Sequence, residues 1–261
     1  MEIHFVNSVT VGTNVAPPPH RLDWLTAKVL ATRNETLTVT TLVLDVPAWP
    51  GHVAGQHLDV RLTAPDGYRA QRSYSIASAP DGSTRLEITV QNVDAGEVSP
   101  FLTSVVAVGD PLELRGPIGD YFTWVPGSTF PLVLVAGGSG IVPLMAMLRN
   151  RVQGSNPTPT WLLYSSRDYE NIIFREELEL MAKASEGFTL LQTLTRTHPP
   201  GWKGECRRID RALLEAAAFP SNPETMVFVC GPTSMVETVA GELVTMGYSA
   251  GNIKTERFGP T

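Results

Sequence analysis

Residues 131 to 143 read Pro-Leu-Val-Leu-Val-Ala-Gly-Gly-Ser-Gly-Ile-Val-Pro. Pro131 to Ala136 is apolar on both faces, the pattern of a strand buried within a parallel sheet. Gly137 to Gly140 is a glycine turn, and Ile141-Val142-Pro143 opens a helix, with Pro143 in a first turn where its missing amide is not needed. Strand, glycine turn and helix make the cradle that a diphosphate needs. Glycines let backbone amides come close, and the helix start supplies positive potential. A lone Gly138-x-Gly140-x-x-Pro143 is weak evidence; set between strongly apolar stretches it carries more weight.

Those stretches extend along the second half. Thr160 to Tyr164 and Thr225 to Cys230 are likewise apolar on both faces, and residues 187 to 194 form a weaker fourth run. Helical patterns lie between them, at Phe174 to Ala184 and Met235 to Met246. Doubly apolar strands alternating with helices predict a buried, Rossmann-like parallel sheet. Upstream the pattern is different. Thr36 to Leu44, His57 to Leu62 and Arg85 to Val90 are short, β-branched and largely alternating, with Pro65-Asp66-Gly67 and Pro80-Asp81-Gly82 as turns. Strands at this spacing predict a small antiparallel β-barrel. The expected order is an extended tail over 1–20, with Ala16-Pro17-Pro18-Pro19 in it, a barrel over 21–125, and an α/β domain over 130–261.

Composition narrows the function classes. With 261 residues the chain is long enough for two cores. A net charge of −6 argues against sequence-independent binding of nucleic acid. Cys206 and Cys230 cannot supply the four thiolates of an iron–sulfur cluster, nor a disulfide framework, so a reducing, cytoplasmic setting is expected. No metal site is expected. No apolar run approaches the roughly eighteen residues of a membrane span, and Met1 to His20 lacks a signal-peptide profile.

The barrel half carries its own candidate site. In Arg72-Ser73-Tyr74-Ser75-Ile76-Ala77-Ser78, alternation places Arg72, Tyr74, Ile76 and Ser78 on one face and Ser73, Ser75 and Ala77 on the other. A guanidinium can hold phosphate bidentately and a flat phenol can lie on an aromatic ring. An ordinary barrel strand with Tyr74 in the core reads the same way. Further on, Gly96-Glu97-Val98-Ser99-Pro100-Phe101-Leu102 predicts a helix start with Ser99 as N-cap, favourable to a diphosphate. Both signals in one barrel are less easily coincidental than either alone.

Together these motifs resemble the ferredoxin–NADP reductase family, including the reductase components of bacterial oxygenases. The matching residues are Arg72-x-Tyr74-Ser75, Gly96-x-x-Ser99, Gly116-Pro117-x-Gly119 with Tyr121, Gly138-x-Gly140-x-x-Pro143, Cys230-Gly231-Pro232 and the terminal Glu256-Arg257-Phe258. The resemblance implies FAD, rather than FMN, on the barrel. Arg72, Ser73 and Gly96-Glu97-Val98-Ser99 would hold it, with Tyr74 on its ring, Ser75 near N5, and Ile88, Thr89 and Val90 lining it. It also implies a pyridine nucleotide on Gly138, Ser139, Gly140 and Pro143, with Cys230, Gly231 and Pro232 beside the nicotinamide and Glu256 completing a polar cluster with Ser75. Phe258 stands where relatives place an aromatic over the flavin; whether it stacks there or packs in the core is open.

Coenzyme choice has two readings. Asp168, after the second strand of the α/β half, suits the bare ribose of NADH. The resemblance places the 2′-phosphate pocket after the third strand, where Thr195, Arg196, Lys203, Arg207 and Arg208 supply cations for NADPH. A solvated basic loop, or a docking patch for an acidic carrier, has the same composition. The expected function is an FAD-dependent NADPH reductase. Ser75, Cys230 and Glu256 would serve its chemistry, and electrons would pass to a separate ferredoxin, flavodoxin or oxygenase component. The alternatives are a free-flavin or ferric-chelate reductase without protein partner and a non-catalytic electron-transfer or regulatory subunit.

Overall fold

The computed structural model describes residues 22–127, 130–155, 158–220 and 222–259. The expected tail over 1–20, and Ser128 and Thr129 of the connecting loop, lie outside them. Six strands form the first sheet: β1 (Leu25–Thr36), β2 (Val39–Asp45), β3 (His57–Thr63), β4 (Arg69–Ser75), β5 (Arg85–Gln91) and β6 (Pro111–Ile118). They lie in the order β4-β3-β6-β1-β2-β5, every pairing antiparallel. An antiparallel bridge from Ile76 to Ile88 ties the end of β4 to β5 and closes the sheet into a barrel. Alternation fills its interior with Val29, Leu42, Leu44, Leu58, Ile88 and Leu114.

Two expectations need correction here. Thr36 to Leu44 is not one strand but the tip of a hairpin, with Thr36 ending β1 and Val39 beginning β2. Leu37 at that tip is fully exposed, so an apolar side chain imitated a strand position. Ser99 is the first residue of helix α1 (Ser99–Ser104) rather than its cap; Val98 holds the cap position. The Ser99 hydroxyl instead accepts from the Val93 amide at 3.1 Å, folding the Gly96–Ser99 loop back on β5's exit.

The second sheet is wholly parallel, in the order β11-β10-β7-β8-β9. Its strands are β7 (Leu132–Gly137), β8 (Thr160–Ser166), β9 (Phe188–Leu194), β10 (Met226–Pro232) and β11 (Ile253–Phe258). Helices α2 (Ile141–Gln153), α3 (Arg175–Ala184), α4 (Arg211–Ala216) and α5 (Thr233–Thr245) accompany it. The doubly apolar strands behave as their composition requires. Leu132, Leu134 and Ala136 enter the core on one face, and Val133 and Val135 the core on the other. The polar pattern of Lys254-Thr255-Glu256-Arg257 predicts no strand, yet β11 pairs residue by residue with β10.

The two sheets share one hydrophobic seam. Ala54, Ala77, Phe122 and Trp124 from the barrel half pack in the same cluster as Ile141, Val142, Met145, Phe228 and Cys230. Phe122 and Phe228 meet edge to face at 5.2 Å. At the rim the Tyr121 hydroxyl donates to the Ile253 carbonyl at 3.2 Å, and Lys254 Nζ to the Thr123 carbonyl at 3.3 Å. Among the described residues no helix is long and apolar enough to cross a membrane.

Candidate active site between the two sheets

On the barrel side, the segment that follows β4 reaches the seam at Ala77, and the expected residues occupy the end of β4 just before it. Tyr74 is half-buried against the barrel core, and burial pushes its phenol up to about 12, so it stays neutral. Ser75, buried, pairs with His57 across β3. Arg72 stays exposed and lies 3.6 Å from Glu97, so the structure does bring β4 and the Gly96–Ser99 loop together. Glu97 also accepts from the Tyr68 hydroxyl at 2.7 Å, a neighbour that no sequence signal marked. Ser73 points elsewhere: its hydroxyl donates to Asp59 at 2.7 Å, and Arg115 holds the same carboxylate at 2.6 Å. Ile88 and Val90 are fully buried in the barrel core, and Thr89 shares a hydrogen bond with Thr41 at 2.8 Å. These three could reach a ligand only through their backbone.

On the sheet side, the glycine turn divides its labour. Gly138 has φ +54° with open space where a side chain would stand, the geometry of a turn that must leave room above it. Gly140 answers a different need from the one its spacing implies. A Cβ there would stand 2.2 Å from the Cys230 carbonyl oxygen, so its bare backbone lets α2 start hard against β10. Ser139 lies between them, and Pro143 sits inside the first turn of α2. The Tyr164 hydroxyl, itself buried, donates to the Gly138 carbonyl at 3.1 Å and accepts from the Ile173 amide at 3.3 Å, pinning the turn.

Cys230 lies near the end of β10's buried run, directly opposite Glu256 on β11, with Gly231 buried beside it and Pro232 exposed beyond. Burial, and then the neighbouring Glu256 carboxylate, push the Cys230 thiol well up, so it is a neutral thiol rather than a thiolate nucleophile. Burial raises Glu256 to about 7, and its Oε2 is buried with no hydrogen-bond partner. A protonatable carboxyl held without a partner beside an uncharged thiol fits a site completed by a ligand. Phe258, half-buried, closes β11 against the same seam cluster.

The basic loop is only partly free. The backbone of Thr195 and Arg196 continues the sheet, with their amides on the Ser166 and Arg167 carbonyls at 3.0 and 2.8 Å. Arg207 is engaged by Asp210 at 2.6 Å, the residue that caps α4. Among the described residues Arg196 and Arg208 form no ion pair, and both are exposed with Lys203. Asp168 is occupied locally, accepting from the backbone and side-chain amides of Asn171 at 3.1 and 2.6 Å.

Comparison with known proteins matches these halves one to one. Residues 28–123 match the Oxidoreductase FAD-binding domain and residues 134–241 the Oxidoreductase NAD-binding domain. Ferredoxin--NADP reductase B of Sorangium cellulosum is 36% identical over 213 residues, 78% of this chain and 84% of that protein. The glycine betaine monooxygenase reductase subunit of Pseudomonas aeruginosa is 32% identical over 79% of this chain, which spans only 56% of that longer protein. The flavohem-like FAD/NAD binding domain of nitric oxide dioxygenase from Vibrio cholerae superposes with a TM-score of 0.80 at 25% identity, covering 90% of this chain and 99% of that one. The chain therefore belongs to the ferredoxin–NADP reductase family of FAD- and NAD(P)-binding oxidoreductases.

Proposed function

We propose that the chain oxidises NADPH and passes the electrons through FAD to a separate acceptor protein, a ferredoxin, a flavodoxin or an oxygenase component. The observation that carries this reading is the shared seam, which packs Ala77, two positions past Ser75, in one cluster with Cys230. The residues present fit a flavin. Arg72 and the Gly96–Ser99 loop would hold its pyrophosphate, with Tyr74 against the ring and Ser75 near its reactive edge. When bound, the flavin accepts a hydride and releases its electrons singly.

The chain's own groups orient and exclude. The seam keeps water from the reacting atoms. Cys230, neutral, offers a soft wall for the nicotinamide, while Glu256 can hold or release a proton near neutrality. Gly138, Ser139 and Gly140 would seat the coenzyme's pyrophosphate, and the amide of Pro143's turn neighbours would face it. Thr195, Arg196 and Arg208 would take the 2′-phosphate, assisted by Lys203. Asp168, committed to Asn171, is poorly placed to select a bare ribose. The names of the Sorangium and Pseudomonas relatives support the coenzyme and the acceptor class respectively.

The test is anaerobic titration of the purified protein with NADPH and NADH in parallel, after its flavin has been released and identified. A yellow, FAD-containing protein bleached by NADPH at lower concentration than NADH is expected. Faster turnover with ferredoxin than with free flavins or ferric chelates would support a protein acceptor. A preparation that stays colourless with added flavins overturns the reading.

A further inference from the structure

We propose that Arg149 is a positioning residue for the reaction, fixing the end of the flavin strand against the helix that leaves the coenzyme turn. The proposal rests on the assignment of the two sites above. Arg149 lies on α2, and its side chain is only 14% exposed. Its Nε and Nη2 grip Glu177 of α3 bidentately at 2.8 and 2.7 Å. Its Nη1 donates to the Ala77 carbonyl and to Glu87 of β5, each at 2.9 Å. The guanidinium also lies 5.1 Å above the Phe174 ring.

Ala77, Glu87 and Phe174, three of the groups it touches, lead toward the sites. Ala77 follows Ser75 by two residues, and its own amide donates to the Glu87 carbonyl at 2.7 Å, so backbone and side chain of Glu87 converge on that segment. On the other side, Ile173 and Phe174 precede α3. The Ile173 amide donates to Tyr164, whose hydroxyl holds the Gly138 turn. A continuous set of contacts thus runs from the coenzyme turn through Tyr164 and Phe174 to Arg149 and on to the end of β4.

Folding alone does not call for this arrangement. Burying the guanidinium, only 14% exposed, is expensive, and its partners Glu87 and Glu177, 23% and 37% exposed, offset that cost only in part; well-packed apolar groups are often as stable or more so. What the planar fork gives is direction and distance, which a hydrophobic contact fixes less sharply. Hydride transfer is sensitive to both: reacting atoms must come within about 3–3.5 Å, and a displacement of about 1 Å can cost roughly 100-fold in rate.

Arg149→Met tests the idea, compared with wild type as flavin-loaded protein and as apo chain. The rate of flavin reduction by NADPH in stopped flow is expected to fall about 10-fold or more, with KM and flavin affinity changed by less than about 2-fold. The long-wavelength absorbance of reduced flavin stacked on oxidised coenzyme should weaken in parallel. In the apo chain the amides of Ile76 and Ala77 should exchange with deuterium about 10-fold faster while the global unfolding midpoint holds. Arg149→Lys, with charge but no fork, should recover only part of the rate. If Arg149→Met does not fold, Arg149→Lys and Glu177→Gln carry the test, the latter slowing reduction about 3-fold at constant KM. Unchanged rate and absorbance overturn the proposal, as does a loss of rate, KM and flavin affinity in proportion. A wild-type protein that NADPH cannot reduce sinks the underlying functional reading instead.

Discussion

Glu256 carries the sharpest residue-scale consequence, because its carboxyl is buried without a partner for Oε2. Burial raises it from 4.5 to about 7. The folded protein therefore holds a proton that the unfolded chain releases earlier, and stability falls as pH rises across that interval. The stability is fully present below about 4.5 and is lost once pH passes about 7. The loss amounts to about 3 kcal/mol, at 1.36 kcal/mol per unit of displacement. Glu256→Gln cannot ionise, so in urea melts it should exceed wild type by about 2–3 kcal/mol near pH 8 and by little near pH 5. The same variant should keep its flavin but reduce it about 10-fold more slowly, and lose any rate dependence with a midpoint near 7. Equal stabilities at both pH values would show that the carboxyl finds a partner in solution.

At the scale of elements, the glycine turn makes two different demands that one motif hides. Gly138→Ala adds a Cβ into open space but at φ +54°, a left-handed strain of about 1–2 kcal/mol. It should fold, with coenzyme binding weakened about 10-fold because the methyl enters the space above the turn. Gly140→Ala would place its Cβ 2.2 Å from the Cys230 carbonyl oxygen, lifting α2 off β10 at a cost of about 3 kcal/mol. Urea unfolding and coenzyme difference spectra separate the two; an equally stable pair would contradict the close approach. That distinction was not legible in the sequence, where both are simply glycines. The barrel and the parallel sheet were legible, because β2 is β-branched, the sequences of β3 and β5 largely alternate, and β7, β8 and β10 are doubly apolar. β1 and β11 were not, since their burial is intermittent and their composition polar. Arg149 was silent for a similar reason: one arginine on a helix reads as solvated until the barrel is packed against it.

For the whole molecule, electrostatics opposes the substrate it is read as using. A net charge of −6 repels an anionic coenzyme at long range, so its capture must rely on a local exception. On the proposed reading Arg196, Arg208 and Lys203, which are exposed beyond the end of β9, form that exception, while Arg207 is held by Asp210. Exposed charges of this kind are screened within about 10 Å at 0.1 M salt, far more than a buried pair would be. Raising ionic strength from about 10 mM to about 0.3 M should therefore raise KM for NADPH about 10-fold and KM for NADH hardly at all. Arg208→Ala should remove much of the difference, lowering preference for NADPH by about 10–100-fold, the worth of one charge-assisted hydrogen bond. Because NADH lacks the 2′-phosphate, its kcat/KM should stay within about 2-fold in the same variant, which separates phosphate recognition from damage to the loop. Salt-independent KM values for both coenzymes, or a wild-type preference for NADH, would mean that the cations face something other than coenzyme.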